Sequence, residues 1–289
     1  MNYGRAFAIG VGLNALYIIV EAVFGFLAHS SALLADAGHN LSDVLGLLLS
    51  WGAFALSRTP ASNRRTYGFR KATIMASFLN ALLLMAAVGA IVVEAVRNII
   101  TPQEVGGMTM MMVAGIGVVI NGVTAMLFAK GREKDINLRS AYLHMAADAA
   151  VSLGVVAAGL IIAYTGLVWI DPVVSLVIVA VIGAGSWGLL KESFFLSMDA
   201  VPSSVAYDAV RDYLVSLDGV KGIHDLHIWA MSSTEIAMTV HVVLPEEQRQ
   251  TPDTLLATIA ETVRERFGII HATIQTERSA CCTHIGSHP

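Results

Sequence analysis

Charge is what this sequence has least of. Of 289 residues, 14% are Asp, Glu, Lys or Arg, a little over half of the roughly 25% usual in soluble domains. Hydrophobic residues make up 55%, and mean hydropathy is +0.67. So little charge excludes a disordered chain, a nucleic-acid binder with basic arms and most ordinary cytosolic enzymes. It points to a lipid bilayer. Cysteine is scarce too: Cys281 and Cys282 are the only two and they are adjacent, which leaves no disulfide framework. A cleavable secretory leader is not evident. The first apolar stretch contains Glu21 and runs on without a small-residue cleavage pattern, so it reads as a permanent span.

The few charges are unevenly placed. Residues 1–198 hold 12 Lys and Arg against 10 Asp and Glu, a net of +2. Residues 199–289 hold 6 against 12, a net of −6. We therefore expect a transmembrane domain over 1–198 and an acidic cytoplasmic domain over 199–289, the latter of ordinary domain size.

A bilayer core about 30 Å thick needs about 20 mostly apolar helical residues per crossing. Six stretches qualify, at about 6–28, 36–56, 72–96, 106–129, 140–164 and 170–190. The link between the second and third carries Arg58, Arg64, Arg65, Arg70 and Lys71; that between the fourth and fifth carries Lys130, Arg132, Lys134 and Arg139. The positive-inside rule makes these links cytoplasmic, and six crossings then put both termini in the cytoplasm. Trp51, Trp169 and Trp187 fall near span ends as interfacial anchors. Asp171-Pro172 reads as the cap and first turn of the sixth span.

Ionisable groups cost on the order of 2.5–3.5 kcal/mol each at membrane depth, so each marks a candidate site. One pattern occurs twice: His39-x-x-x-Asp43 in the second span and His144-x-x-x-Asp148 in the fifth. Residues four apart share a helix face. Two imidazoles and two carboxylates suit a tetrahedral divalent ion such as Zn2+. The absence of sulfur argues against Cu(I), and the imidazoles argue against Mg2+ or Ca2+. The bland alternative is His–Asp hydrogen bonding that only joins helices, but one pair would suffice for that. Metal ligands must be deprotonated, so such a site binds a metal by releasing protons. Alternating exposure would exchange cation for proton.

Other polar residues at depth carry less. Asp36, one turn before His39, caps the second span or holds an approach to the site. Asn14, Glu21, Asn80, Glu94 and Asn121 read as interhelical hydrogen-bonding groups or head-group neighbours. The Met108–Met112 run reads as packing or lipid contact, and His29 as a solvated loop residue.

Periodicity changes after the spans. Ser203–Leu217 is amphipathic, and Val220–Met231 and Glu235–Leu244 alternate like strands. Thr251-Pro252 opens a helix ending at Phe267-Gly268, and Ile270–Glu277 is a third strand. The order αββαβ predicts one sheet with helices on one side. His224 and His227 differ by an odd number and would face opposite sides, so both reach one ion only across a bulge. His241 approaches His224 across the hairpin, and Glu277, in strand parity with His271, completes a site from the third strand. The alternative is ordinary sheet histidines. Cys281 and Cys282, with His284 and His288 beyond them, bind metal or simply end the chain.

Three strings now identify a resemblance: Ser31-Ala-Leu-Leu-Ala-Asp36-Ala-Gly-His39-Asn-Leu-Ser-Asp43, His144-x-x-x-Asp148, and His224-Asp-Leu-His227-Ile-Trp229. Across nearly its whole length the sequence resembles the zinc-transporting branch of the cation diffusion facilitator family. The resemblance implies a homodimeric metal:proton antiporter that exports Zn2+, with Cd2+ or Co2+ as further cargo, across a bacterial inner membrane. It also implies a metallochaperone-like αββαβ cytoplasmic domain that binds metal, regulates and dimerises. His39, Asp43, His144 and Asp148 match the family's transport quartet. His224, His241 and Glu277 fall where the cytoplasmic ligands lie. His271 is displaced by one position from a histidine of animal relatives, and Cys281-Cys282 replaces their spaced cysteine pair. Other classes fit less well. An intramembrane metallohydrolase needs an open coordination position beside a general acid or base, and four ligands already fill a tetrahedron. A membrane metal sensor would not need the quartet.

Overall fold

A computed structural model describes residues 3–129, 136–245 and 253–278. The expected positive charges at Lys130, Arg132 and Lys134, and Cys281, Cys282, His284 and His288, lie outside these. The chain divides into two units, residues 1–48 with 79–188, and residues 49–78 with 189–289.

The spans are helices α1 (Tyr3–Leu27), α2 (Ser31–Ser57), α3 (Ala72–Ile100), α4 (Gly107–Ala129), α5 (Ile136–Thr165) and α6 (Ile170–Ser197). Five are long and apolar enough to cross a membrane among the described residues; in α1 the described apolar run is Ala15–Leu27. Their outward faces carry large apolar side chains such as Ile19, Leu47, Val93, Val119 and Val181. The buried face is built from small residues and a few large ones: Ala32, Leu33, Ala35, Met110, Val113, Ala114, Val155, Ala158 and Ile162. Met110 is wholly buried while Met108 and Met112 face outward, which suits packing and lipid contact.

Small residues bring α4 and α5 together. A Cβ on Gly159 would stand 2.8 Å from the Met111 nitrogen and 2.9 Å from the Gly107 oxygen, so the crossing needs glycine on both helices.

Helix α2 begins at Ser31, five residues earlier than its apolar pattern suggests. The Ser30 hydroxyl accepts from Leu33 N at 3.2 Å, and Asp171 accepts from Ser31 N at 2.7 Å, Ala32 N at 3.2 Å and the Ser30 hydroxyl at 2.6 Å. Asp171 therefore caps α2 and not its own helix α6, a correction to the sequence reading. Its position on the first turn of α6 is as expected, but its carboxylate turns sideways. There it meets the free N–H groups of a neighbouring helix end, where negative charge is favoured. Ser175 and Asn98 add hydrogen bonds to Ser31 from α6 and α3.

In the second unit the tail fold is α7 (Tyr207–Val215), β1 (Gly222–Ala230), β2 (Ile236–Val243), α8 (Asp253–Phe267) and β3 (Ile269–Glu277). Helix α7 is shorter than the amphipathic stretch, because Val205 N closes a turn on Pro202 and Ser203 donates to Glu192. Gly268 takes φ +70°, the left-handed residue that ends α8. The sheet has order β1-β2-β3, antiparallel then parallel. One face packs Leu226, Ile228, Met238, Val240 and Val242 against Val210, Leu214, Ile259 and Val263 of the two helices. His224, His227, His241 and Glu277 are on the other face.

The basic link of the second unit meets this fold. Arg70 pairs with Glu235 at 2.8 Å, Lys71 with Asp199 at 2.5 Å, and Ser233 N donates to the Thr73 hydroxyl at 3.0 Å. Tyr67 meets His271 edge-on with ring centroids 5.9 Å apart.

Two candidate metal centres

In the first unit, α2 and α5 present their His–Asp pairs to each other in antiparallel layers. His39 Nε2 lies 3.7 Å from Asp148 Oδ1, and His144 Nε2 lies 3.2 Å from Asp43 Oδ2. Within each helix the spacings are 3.7 Å for His39–Asp43 and 3.6 Å for His144–Asp148. A tetrahedral Zn2+ with bonds of about 2.05 Å holds its ligand atoms about 3.3 Å apart. The four His–Asp edges are close to that figure. The rings flank the carboxylates, with centroids 6.2 Å apart at 78°. Asp43 Oδ2, Asp148 Oδ2 and His39 Nδ1 are buried with no hydrogen bond among the described residues. Buried polar atoms left unbonded are costly, and a divalent cation would satisfy the oxygens.

The site is asymmetric. The Asp43 and His144 side chains are 33% and 43% exposed, those of His39 and Asp148 20% and 3%. The open layer lies toward the ends of α2 and α5 that carry the basic links. One turn beyond the closed layer, Ser152 donates to Asp36 at 2.9 Å, so the polar seam continues away from the opening. Asp36 lies five residues inside α2, past the capping position, and is wholly buried. Glu21 is wholly buried as well and accepts from the Tyr17 hydroxyl at 2.6 Å and Asn40 at 3.4 Å, an interhelical role as expected.

The second cluster lies on the helix-free face of the tail sheet. His224 and His241 are cross-strand partners with ring centroids 4.9 Å apart. Glu277 reaches both: Oε2 lies 3.0 Å from His224 Nε2 and Oε1 lies 2.9 Å from His241 Nδ1. Burial alone would raise the Glu277 carboxyl, but the hydrogen bond and charge of His224, with His241 behind them, hold it below the usual carboxylate range.

Asp225 is the residue sequence reasoning missed. The β1–β2 register shifts between His224 and His227, and Asp225 sits in that bulge with φ +50°. The extra residue restores parity, so His224 and His227 share a face, as only a bulge allows. It also swings the Asp225 carboxylate to 3.6 Å from His224 Nδ1. Ligand atoms of His224, Asp225 and His241 all lie within 4.8 Å of one another. His224 Nδ1 is buried without a hydrogen bond among the described residues, and the imidazole and carboxylate donor set, lacking sulfur, fits a borderline divalent metal such as Zn2+. His271 is not part of it. It pairs with Ala237 at the far end of β3, six residues from Glu277.

The chain matches two protein families in succession: the cation efflux transmembrane domain over residues 7–196, and the cation efflux protein cytoplasmic domain over residues 202–279. Three relatives illustrate the likeness. The metal cation efflux system protein CzcD of Cupriavidus metallidurans is 33% identical over 278 residues, covering 96% of this chain and 87% of that one. The zinc transporter ZitB of Pectobacterium atrosepticum is 36% identical over 273 residues, covering 93% and 84%. The cadmium, cobalt and zinc/H(+)-K(+) antiporter of Bacillus subtilis is 31% identical over 266 residues, covering 91% and 86%.

Proposed function

The chain belongs to the cation efflux family, the cation diffusion facilitators, and from that premise we propose that it exports Zn2+, with Cd2+ and Co2+ as further cargo, from the cytoplasm in exchange for protons. It is a multi-pass membrane transporter. The observation that carries the metal reading is the quartet His39, Asp43, His144 and Asp148, whose His–Asp spacings, two across the helices and two within them, are 3.2–3.7 Å, near the ligand–ligand edge of a tetrahedral zinc shell.

The layering supports a direction. The more exposed pair, Asp43 and His144, receives the ion from the end of the bundle that bears the basic links, which the positive-inside rule makes cytoplasmic. Both termini are then cytoplasmic, in a bacterial inner membrane. The ion next engages His39 and Asp148. Free imidazole titrates near pH 6.5 and free Asp near 3.9, and each group must be deprotonated to ligate. Binding therefore expels protons, and protons arriving from the opposite face return the quartet to its metal-free form. The seam from Ser152 and Asp36 onward is closed in this conformation, as alternating access requires of the far side.

The tail cluster of His224, Asp225, His241 and Glu277 would hold a resident divalent metal. Bound there, a Zn2+ would supply positive charge against the tail's net −6 and ease the approach of two acidic tails in a homodimer. His271 stands apart from that cluster.

The test is zinc uptake into everted membrane vesicles with an imposed pH gradient. The reading expects uptake to rise with interior acidity and to collapse when a protonophore removes the gradient. Uptake indifferent to the gradient would refute antiport.

A further inference from the structure

The tail cluster gives His271 no role, and His271 instead lines a cleft. In the second unit, the end of α2, the link to α3 and the turn between β1 and β2 enclose about 640 Å³, a volume ordinary for a small-molecule site. Its walls include Phe54, Arg58, Tyr67 and Arg70 on one side and Glu235 and His271 on the other. The link is stitched to itself. Ser62 and Arg65 exchange backbone hydrogen bonds of 3.0 and 2.9 Å, and Gly68 N donates to Arg65 O at 2.9 Å. Gly68 takes φ +65°, and a Cβ there would lie 3.0 Å from the Thr59 oxygen, so this closure requires glycine. It brings Arg58 and Arg70, from opposite ends of the link, to one cleft. Tyr67 closes the side wall by meeting His271 edge-on.

The cleft carries unbalanced positive charge. Residues 58–71 hold five basic side chains and no acidic one. Arg70 and Lys71 are paired with Glu235 and Asp199, whereas Arg58, Arg64 and Arg65 make no ion pair among the described residues. Of these three, Arg58 lines the cleft. Its guanidinium lies 4.9 Å from the Phe54 ring centroid, a cation–π contact that steadies it and leaves its N–H groups available. Two guanidinium groups beside a phenol form a donor set for an oxyanion, and phosphate accepts two guanidinium N–H groups in parallel. A metal ion would meet two fixed cations here. A second observation points to the source of the phosphate. Trp51, Phe54 and Arg58 are spaced three and four apart and share a face of α2, and both rings are exposed, at 73% and 54%. On a membrane-spanning helix this is an aromatic stripe ending at a cation, at the height where headgroups lie.

We propose that this cleft binds the phosphate of an anionic phospholipid, with Arg58 as its principal donor and Tyr67 and the remaining N–H groups of Arg70 beside it. The acyl chains lie along Trp51 and Phe54. A free phosphate offers the same oxyanion without the chains, so the two sources are separable by experiment. Because the walls come from both the link and the β1–β2 turn, a bound headgroup fastens one to the other and stabilises the folded protein by mass action. The site is independent of antiport and of either metal centre.

The measurement is binding of dioctanoyl phosphatidylglycerol to the whole purified protein in a neutral detergent, followed by native mass spectrometry. Dioctanoyl phosphatidylcholine and inorganic phosphate are the comparison ligands. The parent is set against Arg58→Gln and Arg64→Gln, the latter removing a cation of the same link that does not line the cleft. Phosphatidylglycerol should bind the parent at least about tenfold more tightly than either comparison ligand. Arg58→Gln should weaken that binding at least about tenfold, and Arg64→Gln should leave it within about twofold. Phosphatidylglycerol should also raise the melting temperature of the parent and not that of Arg58→Gln. Equal weakening by the two substitutions would reduce the effect to diffuse surface charge and overturn the site. Phosphatidylcholine or inorganic phosphate binding as tightly as phosphatidylglycerol would overturn the anionic-lipid assignment, in favour of the chains alone or of a soluble anion. Should Arg58→Gln fail to fold, Arg58→Lys keeps the charge and loses the paired donors. It should weaken binding at least about threefold, and unchanged binding counts against the site.

Discussion

Removing the Asp171 carboxylate should unfasten one end of the membrane bundle. Asp171 satisfies the first two free N–H groups of α2, those of Ser31 and Ala32, and anchors the Ser30 hydroxyl that satisfies the third. Asp171→Ala strips two direct backbone bonds in a 0%-exposed site and releases Ser30. An N-cap removed costs about 1 kcal/mol, and each buried donor left unbonded costs about 1–3 kcal/mol. Water entering at the membrane boundary repays part, so a loss of about 3–5 kcal/mol is expected. Asp171→Asn keeps one acceptor oxygen and gives up the charge, which should cost about half as much. The assay is equilibrium unfolding in bicelles, paired with hydrogen exchange at residues 31–34. Exchange there should speed up more than at the centre of α2. An Asp171→Ala protein within about 0.5 kcal/mol of the parent, with residues 31–34 still protected, would refute the capping assignment.

Two other perturbations address different parts of the molecule. Gly159→Val would push a branched side chain into backbone atoms of α4 that a Cβ already approaches to 2.8 Å; overpacking of this kind costs about 1–3 kcal/mol or more, read as a lowered melting temperature with Gly154→Val, where nothing lies within 4 Å, as the unaffected control. Glu277→Gln should weaken zinc binding at the tail cluster by at least about tenfold, measured with a quartet-disabled background, and leave zinc uptake by the otherwise intact protein measurable. In the metal-free protein Glu277 sits below its ordinary range, so the stability it adds is present above the unfolded carboxyl value and fades as pH falls through the lower folded one. Glu277→Gln should abolish that acid-side loss of β3 protection.

Much of this was legible in the residues. The His-x-x-x-Asp repeat put two His–Asp pairs on helix faces, because spacing of four is enough to fix a face. The apolar runs placed the six long helices, and alternation placed the three strands. Information about which helix meets which was not in the periodicity. Asp171 looked like the cap of the helix it begins, and only packing shows its carboxylate turned to Ser31 and Ala32. Glu21 and Asn40 lie on separate helices, and nothing in either span announces the hydrogen bond that joins them. Asp225 escaped notice because a bulge is a one-residue event inside an otherwise regular strand. The single available hint was the odd spacing of His224 and His227 itself. That spacing makes sense when an extra residue intervenes.

The most direct test of the central claim is the rate of zinc uptake by proteoliposomes containing Asp43→Ala or Asp148→Ala, each checked for folding. One carboxylate comes from each helix and each faces both imidazoles. Either loss should therefore cut uptake by at least about 100-fold, a transport-barrier increase of about 2.7 kcal/mol. Uptake at the parental rate by both folded variants would mean that the quartet is not where the metal crosses.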